Sequence, residues 1–211
     1  MNVICFSGQM RNGKDTAADY VASKINWNRS SFAADVKKTF MEMFEVDIDF
    51  VEKWKVLKEV PNTFIKNVRD SLIFIGDGFR QIMPDIWVKR CLKKGKYPMI
   101  ISDGRYFSEM QKIKDIDGLN ILVYRDGFYN DIDNASESEC GQLVKFFLSN
   151  NIAGSTADFF NNYKGEKTFI YEKAKNVDYF LNNNSSIEEY YQIIDNDLIP
   201  FIKRKIERCQ E

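Results

Sequence analysis

The fold is decided near the amino terminus by the stretch VICFSGQMRNGKDT, residues 3–16. Its first part, Val3–Phe6, is a short continuous apolar run, which is typical of a strand covered on both faces in a parallel sheet. The next part matches the pattern GxxxxGK between Gly8 and Lys14, and the apolar spacing after it predicts a helix over Lys14–Ile25. A glycine-rich turn between a buried strand and a helix is the setting in which this pattern binds phosphate groups, so the sequence predicts a phosphate-binding loop.

Each position of the loop has an expected role. Glycines let the backbone curl so that several N–H groups face one anion, and the start of the helix adds partial positive charge. Lys14 is expected to reach the β- and γ-phosphates of a nucleoside triphosphate. Asp15 stands where Ser or Thr normally contacts Mg²⁺, so we expect Asp15 to hold the ion directly or through water and Thr16 to meet the α-phosphate. The predicted nucleotide-binding residues are therefore Gly8, Arg11, Asn12, Gly13, Lys14, Asp15 and Thr16. The alternative is a chance glycine turn before a helix.

The rest of the chain repeats the alternation of strands and helices. Further apolar runs predict strands over Met99–Asp103, Leu119–Tyr124 and Val177–Leu181, with a short one over Ser31–Ala34. Alternating strands and helices imply an α/β fold of three layers, a P-loop NTPase fold in which a parallel sheet of about five strands has helices on both faces. We expect one domain over residues 1–211, with a helical region at about 34–96. Residues 126–175 have no clear pattern and are expected to form a lid or a loop-rich insertion.

Composition excludes several classes of function. The chain has no His, which removes His-based acid–base catalysis and His metal ligation. Lys plus Arg (30) balance Asp plus Glu (31), so no global basic surplus indicates a nucleic-acid scaffold. The four cysteines are far apart without a CxxC pair, which gives no support to a zinc site. No apolar run is long enough to span a bilayer and the chain leads directly into the loop motif, so we expect a cytoplasmic protein.

The order of motifs along the chain resembles bacteriophage deoxynucleoside monophosphate kinases. These enzymes carry GKDT in the phosphate loop, as this chain does at residues 13–16. The other similar segments, taken in order, are Phe32–Lys37, Leu72–Val88 with Gly76, Asp77 and Arg80, Ser102–Arg105 with Glu109, Arg125 with Ser136 and Glu137, and Val177–Phe180 with Asn182 and Asn183. The chain departs from the family at Gly78 and Phe79, at Asn134, where the family often has His, and over residues 141–175.

The resemblance implies a nucleoside monophosphate kinase-like fold that transfers the γ-phosphoryl group of ATP-Mg²⁺ to a deoxynucleoside monophosphate. It implies catalytic roles for Lys14, Asp103, Arg105 and Arg125, with Asp15 and Asp103 as metal ligands. It implies acceptor binding within residues 34–96 and around the third strand, by Lys37, Asp77, Arg80, Trp87, Arg105 and Glu109.

Reasoning from the residues leaves alternatives at several of these positions. Asp103 ends an apolar strand, where ligands gather in parallel sheets, and could hold Mg²⁺ or orient the attacking oxygen. Glu109 could orient Arg105 or meet a sugar hydroxyl, and Trp87 could stack on a base, although core packing is favoured for it. Lys37 and Arg80 could equally be solvated helix charges.

Two other functions remain open at this level. One is a related kinase that phosphorylates a hydroxymethylated pyrimidine in phage DNA, for which Asp103 is the candidate base. The other is a nucleotide-binding protein without catalysis. Expected partners are small nucleotides, with nucleic acid only as an acceptor and no membrane; a homodimer and the preferred base are left open.

Overall fold

The computed structural model of the protein describes residues 1–57, 60, 65–127 and 135–209, and at residues 135–137 the backbone only. The chain divides into two compact units. The first unit comprises Met1–Ser30 and Lys96–Glu211, and the second comprises Ser31–Gly95.

The first unit contains a sheet and its covering helices. Its strands are β1 (Val3–Ser7), β2 (Asn28–Ser30), β3 (Met99–Gly104), β4 (Leu119–Tyr124), β5 (Gly154–Ser155) and β6 (Tyr179–Asn182). Its helices are α1 (Lys14–Ile25), α6 (Phe107–Lys114), α7 (Ala135–Ser149), α8 (Ala157–Asn162), α9 (Phe169–Ala174), α10 (Ile187–Ile193) and α11 (Ile199–Glu207), with a π-helical segment (Ile194–Leu198) between the last two. The helices that belong to the second unit are α2 (Ala33–Phe44), α3 (Ile48–Trp54), α4 (Val68–Ile82) and α5 (Ile86–Lys94).

Within the described residues the sheet has six strands, in the order β2-β3-β1-β4-β6-β5. All neighbours pair in parallel except β5, which pairs antiparallel with β6. The predicted α/β class with a mainly parallel sheet is therefore confirmed. The carboxyl ends of β3, β1, β4 and β6 lie along one edge of the sheet, which is where ligands bind in such folds.

Alternating side chains of β4 and β6 show that the sheet is covered on both faces. Ile121 and Val123 belong to the core cluster that includes α1 and the two terminal helices. Leu122 and Tyr124, one residue out of step, belong to the cluster that includes α6, α7 and α9. Because successive side chains of a strand point to opposite faces, the first unit has three layers, helix–sheet–helix.

The second unit is a group of helices in which a buried carboxylate is neutralised. Asp35 accepts hydrogen bonds from Lys94 at 2.7 Å and from Arg90 at 3.3 Å. Arg90 and Lys94 are 55 and 59 positions from Asp35 in the sequence, so their pairing with Asp35 comes from tertiary structure.

The structure differs from the sequence predictions in three places. The strand predicted at Ser31–Ala34 is wrong, since β2 ends at Ser30 and α2 begins at Ala33. The stretch at residues 135–174 contains three helices and β5, and buried side chains of α7 pack in the second core cluster. The antiparallel edge strand was not predicted, because two residues leave no pattern.

Across the ranges that the structure describes, every helix is too short or too polar to cross a lipid bilayer.

Candidate phosphate-binding site

The loop between β1 and α1 has the backbone conformations that the motif predicts. Gly8, Arg11 and Gly13 have φ angles of 147°, 66° and 90°. Gly13 is the residue before α1, and its carbonyl accepts the hydrogen bond from the Ala17 N–H at 3.0 Å. The N–H groups that precede the first helical turn have no partner inside the helix. The loop therefore supplies backbone donors and a helix N-terminus at the same place.

Asn12 holds the loop against the sheet. This residue is 2% exposed, and its side-chain Nδ2 donates to the carbonyl of Val123 on β4. Its Oδ1 accepts a hydrogen bond from the Lys14 N–H at 3.2 Å. A β-carbon at Gly8 would lie 2.1 Å from the same Nδ2, so glycine is required there for close packing. Asn12 thus has a structural role in addition to the predicted backbone contact.

Lys14 is a buried cation at the start of α1. The residue is 4% exposed, its Nζ donates to the carbonyl of Gln9 at 3.2 Å, and it lies 3.8 Å from Asp15 Oδ2. Burial lowers the pKa of Lys14 below its ordinary value, the charge of Arg105 lowers it further, and the carboxylates of Asp15 and Asp103 oppose this. A buried ammonium group that is held by one carbonyl and one partly exposed carboxylate is well placed to bind an incoming anion.

The ends of two strands bring further predicted residues to the same edge. Asp103 is the second-last residue of β3, Arg105 directly follows that strand, and Arg125 directly follows β4. Asp103 and Arg105 are close enough to Lys14 for their charges to act on its pKa. Arg125 lines a pocket of about 300 Å³ together with Arg11, Gly13, Lys14, Asp15 and Thr16. The structure therefore groups the predicted catalytic and nucleotide-binding residues of the first unit.

The backbone of Arg105 is held from both sides. The buried carboxylate of Glu109 accepts hydrogen bonds from the N–H groups of Arg105 and Tyr106, at 2.8 and 3.1 Å. The thiol of Cys140 donates to the Arg105 carbonyl at 3.3 Å. Burial raises the pKa of Cys140 to about 12, so this thiol stays protonated. Because Glu109 is 1% exposed and bonded to backbone, the arrangement favours orienting Arg105 over contact with a sugar hydroxyl.

The pocket also contains residues that the sequence analysis did not assign to it. Asn183, Ser185, Ile187 and Tyr190, which follow β6, line it. The hydroxyl groups of Ser185 and Tyr190 are buried and have no hydrogen-bond partner within the described part of the chain. Unpaired buried hydroxyls are costly, so these two are available to a ligand or to water. The sequence names Asn183 only within a segment that resembles the phage kinases and gives none of the four residues a role in the pocket, because they are about 170 positions from the loop that they face.

The pocket has oxygen atoms that could bind a magnesium ion held on a polyphosphate. The Asp15 carboxylate is 66% exposed, and Thr16 lines the pocket beside it. Within the described ranges no group of three or more acidic or Cys residues could hold a metal ion alone. Mg²⁺ usually keeps several waters and is held by one or two carboxylates together with substrate phosphates, so Asp15 fits this mode, while binding of Mg²⁺ by Asp103 remains a prediction.

The predicted acceptor residues other than Arg105 and Glu109 lie in the second unit. Lys37 donates to Glu52 at 2.6 Å, and Arg80 donates to Asp77 at 3.2 Å. Trp87 is 2% exposed and its indole N–H donates to the Gly76 carbonyl at 2.9 Å. Stacking of Trp87 on a base, one of the roles predicted for it, is therefore corrected to core packing. Roles in binding for Lys37, Asp77 and Arg80 remain predictions.

Comparison with known proteins adds one related sequence. No protein-family model matches the chain. A protein of Acanthamoeba polyphaga mimivirus named "Putative deoxynucleotide monophosphate kinase" is 25% identical, and the alignment covers 92% of this chain and 94% of that protein.

Solved structures with a similar arrangement share little sequence. Dephospho-CoA kinase from Campylobacter jejuni is 13% identical with a TM-score of 0.44, over 100% of this chain and 99% of that one. Shikimate kinase from Bacteroides thetaiotaomicron is 12% identical with a TM-score of 0.38, over 97% and 98%.

The sheet order and the glycine loop before α1 define this chain as a P-loop protein of the α/β class. One protein to which its sequence is similar is the mimivirus protein named above.

Proposed function

We propose that this protein is an ATP-dependent phosphotransferase, and that its acceptor is a deoxynucleoside monophosphate. The observation that carries the proposal is the loop at residues 8–14, in which Gly13 precedes the N-terminus of α1 and the buried Lys14 ammonium group lies beside it. The name of the mimivirus relative supports the choice of acceptor. The in-order resemblance of this chain to phage deoxynucleoside monophosphate kinases supports the same choice.

The reaction requires little proton transfer. An oxygen of the acceptor phosphate attacks the γ-phosphorus of ATP, the bond to the β–γ bridging oxygen breaks, and the products are ADP and a deoxynucleoside diphosphate. A phosphate monoester is already a dianion for the most part at pH 7, because its second pKa is about 6. Catalysis then depends on alignment and on neutralising charge, which suits a chain that lacks His.

The residues of the first unit divide this work. The loop amides and Lys14 bind the β- and γ-phosphates, and Arg105 and Arg125 offset the charge on the transferred group. Asp15 and Asp103 would hold Mg²⁺, which neutralises phosphate charge when bound. Glu109 and Cys140 hold the backbone from which Arg105 extends.

Acceptor binding is assigned to the second unit. Arg80, paired with Asp77, offers a planar guanidinium group suited to two phosphate oxygens. Lys37 would exchange its ion pair with Glu52 for the acceptor phosphate. A lid within Asp126–Lys175, whose closure would exclude water from the transfer, stays a prediction, although α7 and α9 in this stretch pack in the second core cluster. Part of that lid prediction, residues 128–134, lies outside the described residues.

A coupled assay tests the proposal. Formation of ADP is followed with ATP, Mg²⁺ and each of the common deoxynucleoside monophosphates, and the identity of the diphosphate product is checked by chromatography. We expect turnover with at least one of them, and a loss of about two to three orders of magnitude or more in Lys14→Met. A parallel reaction with duplex DNA containing hydroxymethylated pyrimidines tests the other acceptor. If product forms only with that DNA, the acceptor is a hydroxymethylated pyrimidine in DNA and not a deoxynucleoside monophosphate. If ATP binds but no acceptor gives product, the proposed catalysis is refuted.

A further inference from the structure

The side chain of Asn183 holds the peptide group that joins Asn12 to Gly13. The side-chain Nδ2 of Asn183 donates to the carbonyl oxygen of Asn12 at 2.9 Å, across 171 positions of sequence. Asn183 is 7% exposed, and its own N–H donates to the Tyr124 carbonyl at 2.8 Å, which ties it to β4. The carbonyl of Asn12 therefore has a fixed partner on a rigid strand end.

The direction of this carbonyl sets the direction of the next amide. In a planar trans peptide the C=O and the following N–H point in opposite directions. With the Asn12 carbonyl turned toward Asn183, the Gly13 N–H points away from Asn183. No acceptor within the described residues takes this N–H, which precedes the first turn of α1 and lines the pocket with Lys14 and Thr16.

This peptide needs a restraint because glycine follows it. Rotation of a peptide plane changes ψ of the residue before it and φ of the residue after it, and glycine tolerates positive and negative φ about equally. A flipped peptide would present the carbonyl of Asn12 to the pocket in place of the Gly13 N–H. A carbonyl oxygen would repel a polyphosphate, whereas an N–H at a helix N-terminus attracts it.

We infer that Asn183 is a positioning residue of the phosphate site: by holding the Asn12 carbonyl, it keeps the Gly13 N–H directed at the polyphosphate of the bound nucleotide. The space around Gly13 is shaped for this contact, since a β-carbon there would lie 2.2 Å from Asn183 Nδ2. The inference rests on the proposed binding of ATP, and it assigns Asn183 no contact with the nucleotide.

The test compares ligands with and without the polyphosphate. Dissociation constants for ATP and for adenosine are measured calorimetrically with wild type, with Asn183→Ala and with Asn183→Asp, which puts a carboxylate without a donor in the same place. Loss of one hydrogen bond to a charged group corresponds to about tenfold or more in affinity, so we expect ATP to bind at least about tenfold more weakly to both variants. Adenosine binding should change less than about twofold, because it does not use the Gly13 N–H.

Asn182→Ala is the matched control, since Asn182 is the preceding residue, of the same type, and its side chain is exposed. This control should bind ATP as wild type does. The backbone ¹⁵N–¹H signal of Gly13 gives a second readout: ATP should shift it in wild type and Asn182→Ala but not in the Asn183 variants.

The outcomes separate this inference from the proposed function. If wild type binds ATP but the Asn183 variants keep wild-type affinity, or lose affinity for ATP and adenosine equally, the positioning role is refuted. If wild type does not bind ATP at all, the proposed function fails, and this inference fails with it.

Discussion

Replacement of Gly13 by Ala should destabilise the protein by an amount that the structure allows to be divided into two parts. Gly13 has a φ of 90°, a conformation that costs an L-residue about 1–2 kcal/mol. The new β-carbon would also lie 2.2 Å from Asn183 Nδ2 and displace it from the Asn12 carbonyl. That hydrogen bond contributes about 0.5–1.5 kcal/mol, so the total is about 1.5–3.5 kcal/mol, or a fall in Tm of about 3–14 °C for a chain of this size.

A second glycine provides the control for this measurement. Gly154 in β5 also has a positive φ, 74°, but a β-carbon there would meet Tyr179 at 3.7 Å, an ordinary contact distance. Gly154→Ala should therefore show the conformational cost alone, about 1–2 kcal/mol. The assay is urea denaturation followed by circular dichroism, with ATP titrations on the folded variants. Equal losses of stability for the two substitutions, with ATP affinity unchanged in Gly13→Ala, would refute the proposed contact between Asn183 and the loop.

Three further predictions concern charges and hydroxyls. Lys14→Met should bind ATP far more weakly while its ligand-free Tm equals or exceeds that of wild type at pH 7, because burial disfavours the ammonium group; a clear drop in Tm would contradict this. Asp35→Asn should lower the urea midpoint at pH 7 through loss of the contacts with Lys94 and Arg90. Burial acts to raise the pKa of Asp35, but the hydrogen bonds from Lys94 and Arg90 hold this pKa below its ordinary value. The stability that ionised Asp35 provides is therefore present above the ordinary pKa and is lost as the pH falls through the pKa of the folded state. The urea midpoints of wild type and Asp35→Asn should therefore converge in acid, and a constant gap between them would exclude this role. Tyr190→Phe removes a buried hydroxyl that has no partner among the described residues, so ligand-free stability should stay equal or rise, and a fall in the urea midpoint would indicate a hydrogen bond to this group.

The sequence predicts the first strand, the loop and α1 well because their signals are local. An apolar run, glycines at fixed spacing and a helical stripe lie within 25 residues, and the predicted bounds of α1 match the structure. The strand β2 was misplaced because Asn28–Ser30 is polar and carries no apolar pattern. Its position is set by pairing with β3, which cannot be read from the strand itself.

Site residues that follow apolar strands could be predicted from the sequence. Site residues whose role depends on contacts with a distant segment of the chain could not. Asp103 was predicted because it ends an apolar run at the sheet edge where ligands bind, whereas the roles of Arg105 and Arg125 were implied by the family resemblance. Asn183 and Tyr190 were not assigned, because their importance depends on contacts with the loop at the other end of the chain. For Trp87 the sequence left base stacking and core packing open, and only the structure shows its indole N–H bonded to the carbonyl of Gly76.

A crystal structure with a non-hydrolysable ATP analogue and Mg²⁺ would test the central assignment most directly. The account predicts a β-phosphate within about 3 Å of the Gly13 N–H and of Lys14 Nζ, with Asn183 still bonded to the Asn12 carbonyl. An analogue bound elsewhere, or a loop whose amides turn into the protein, would contradict it.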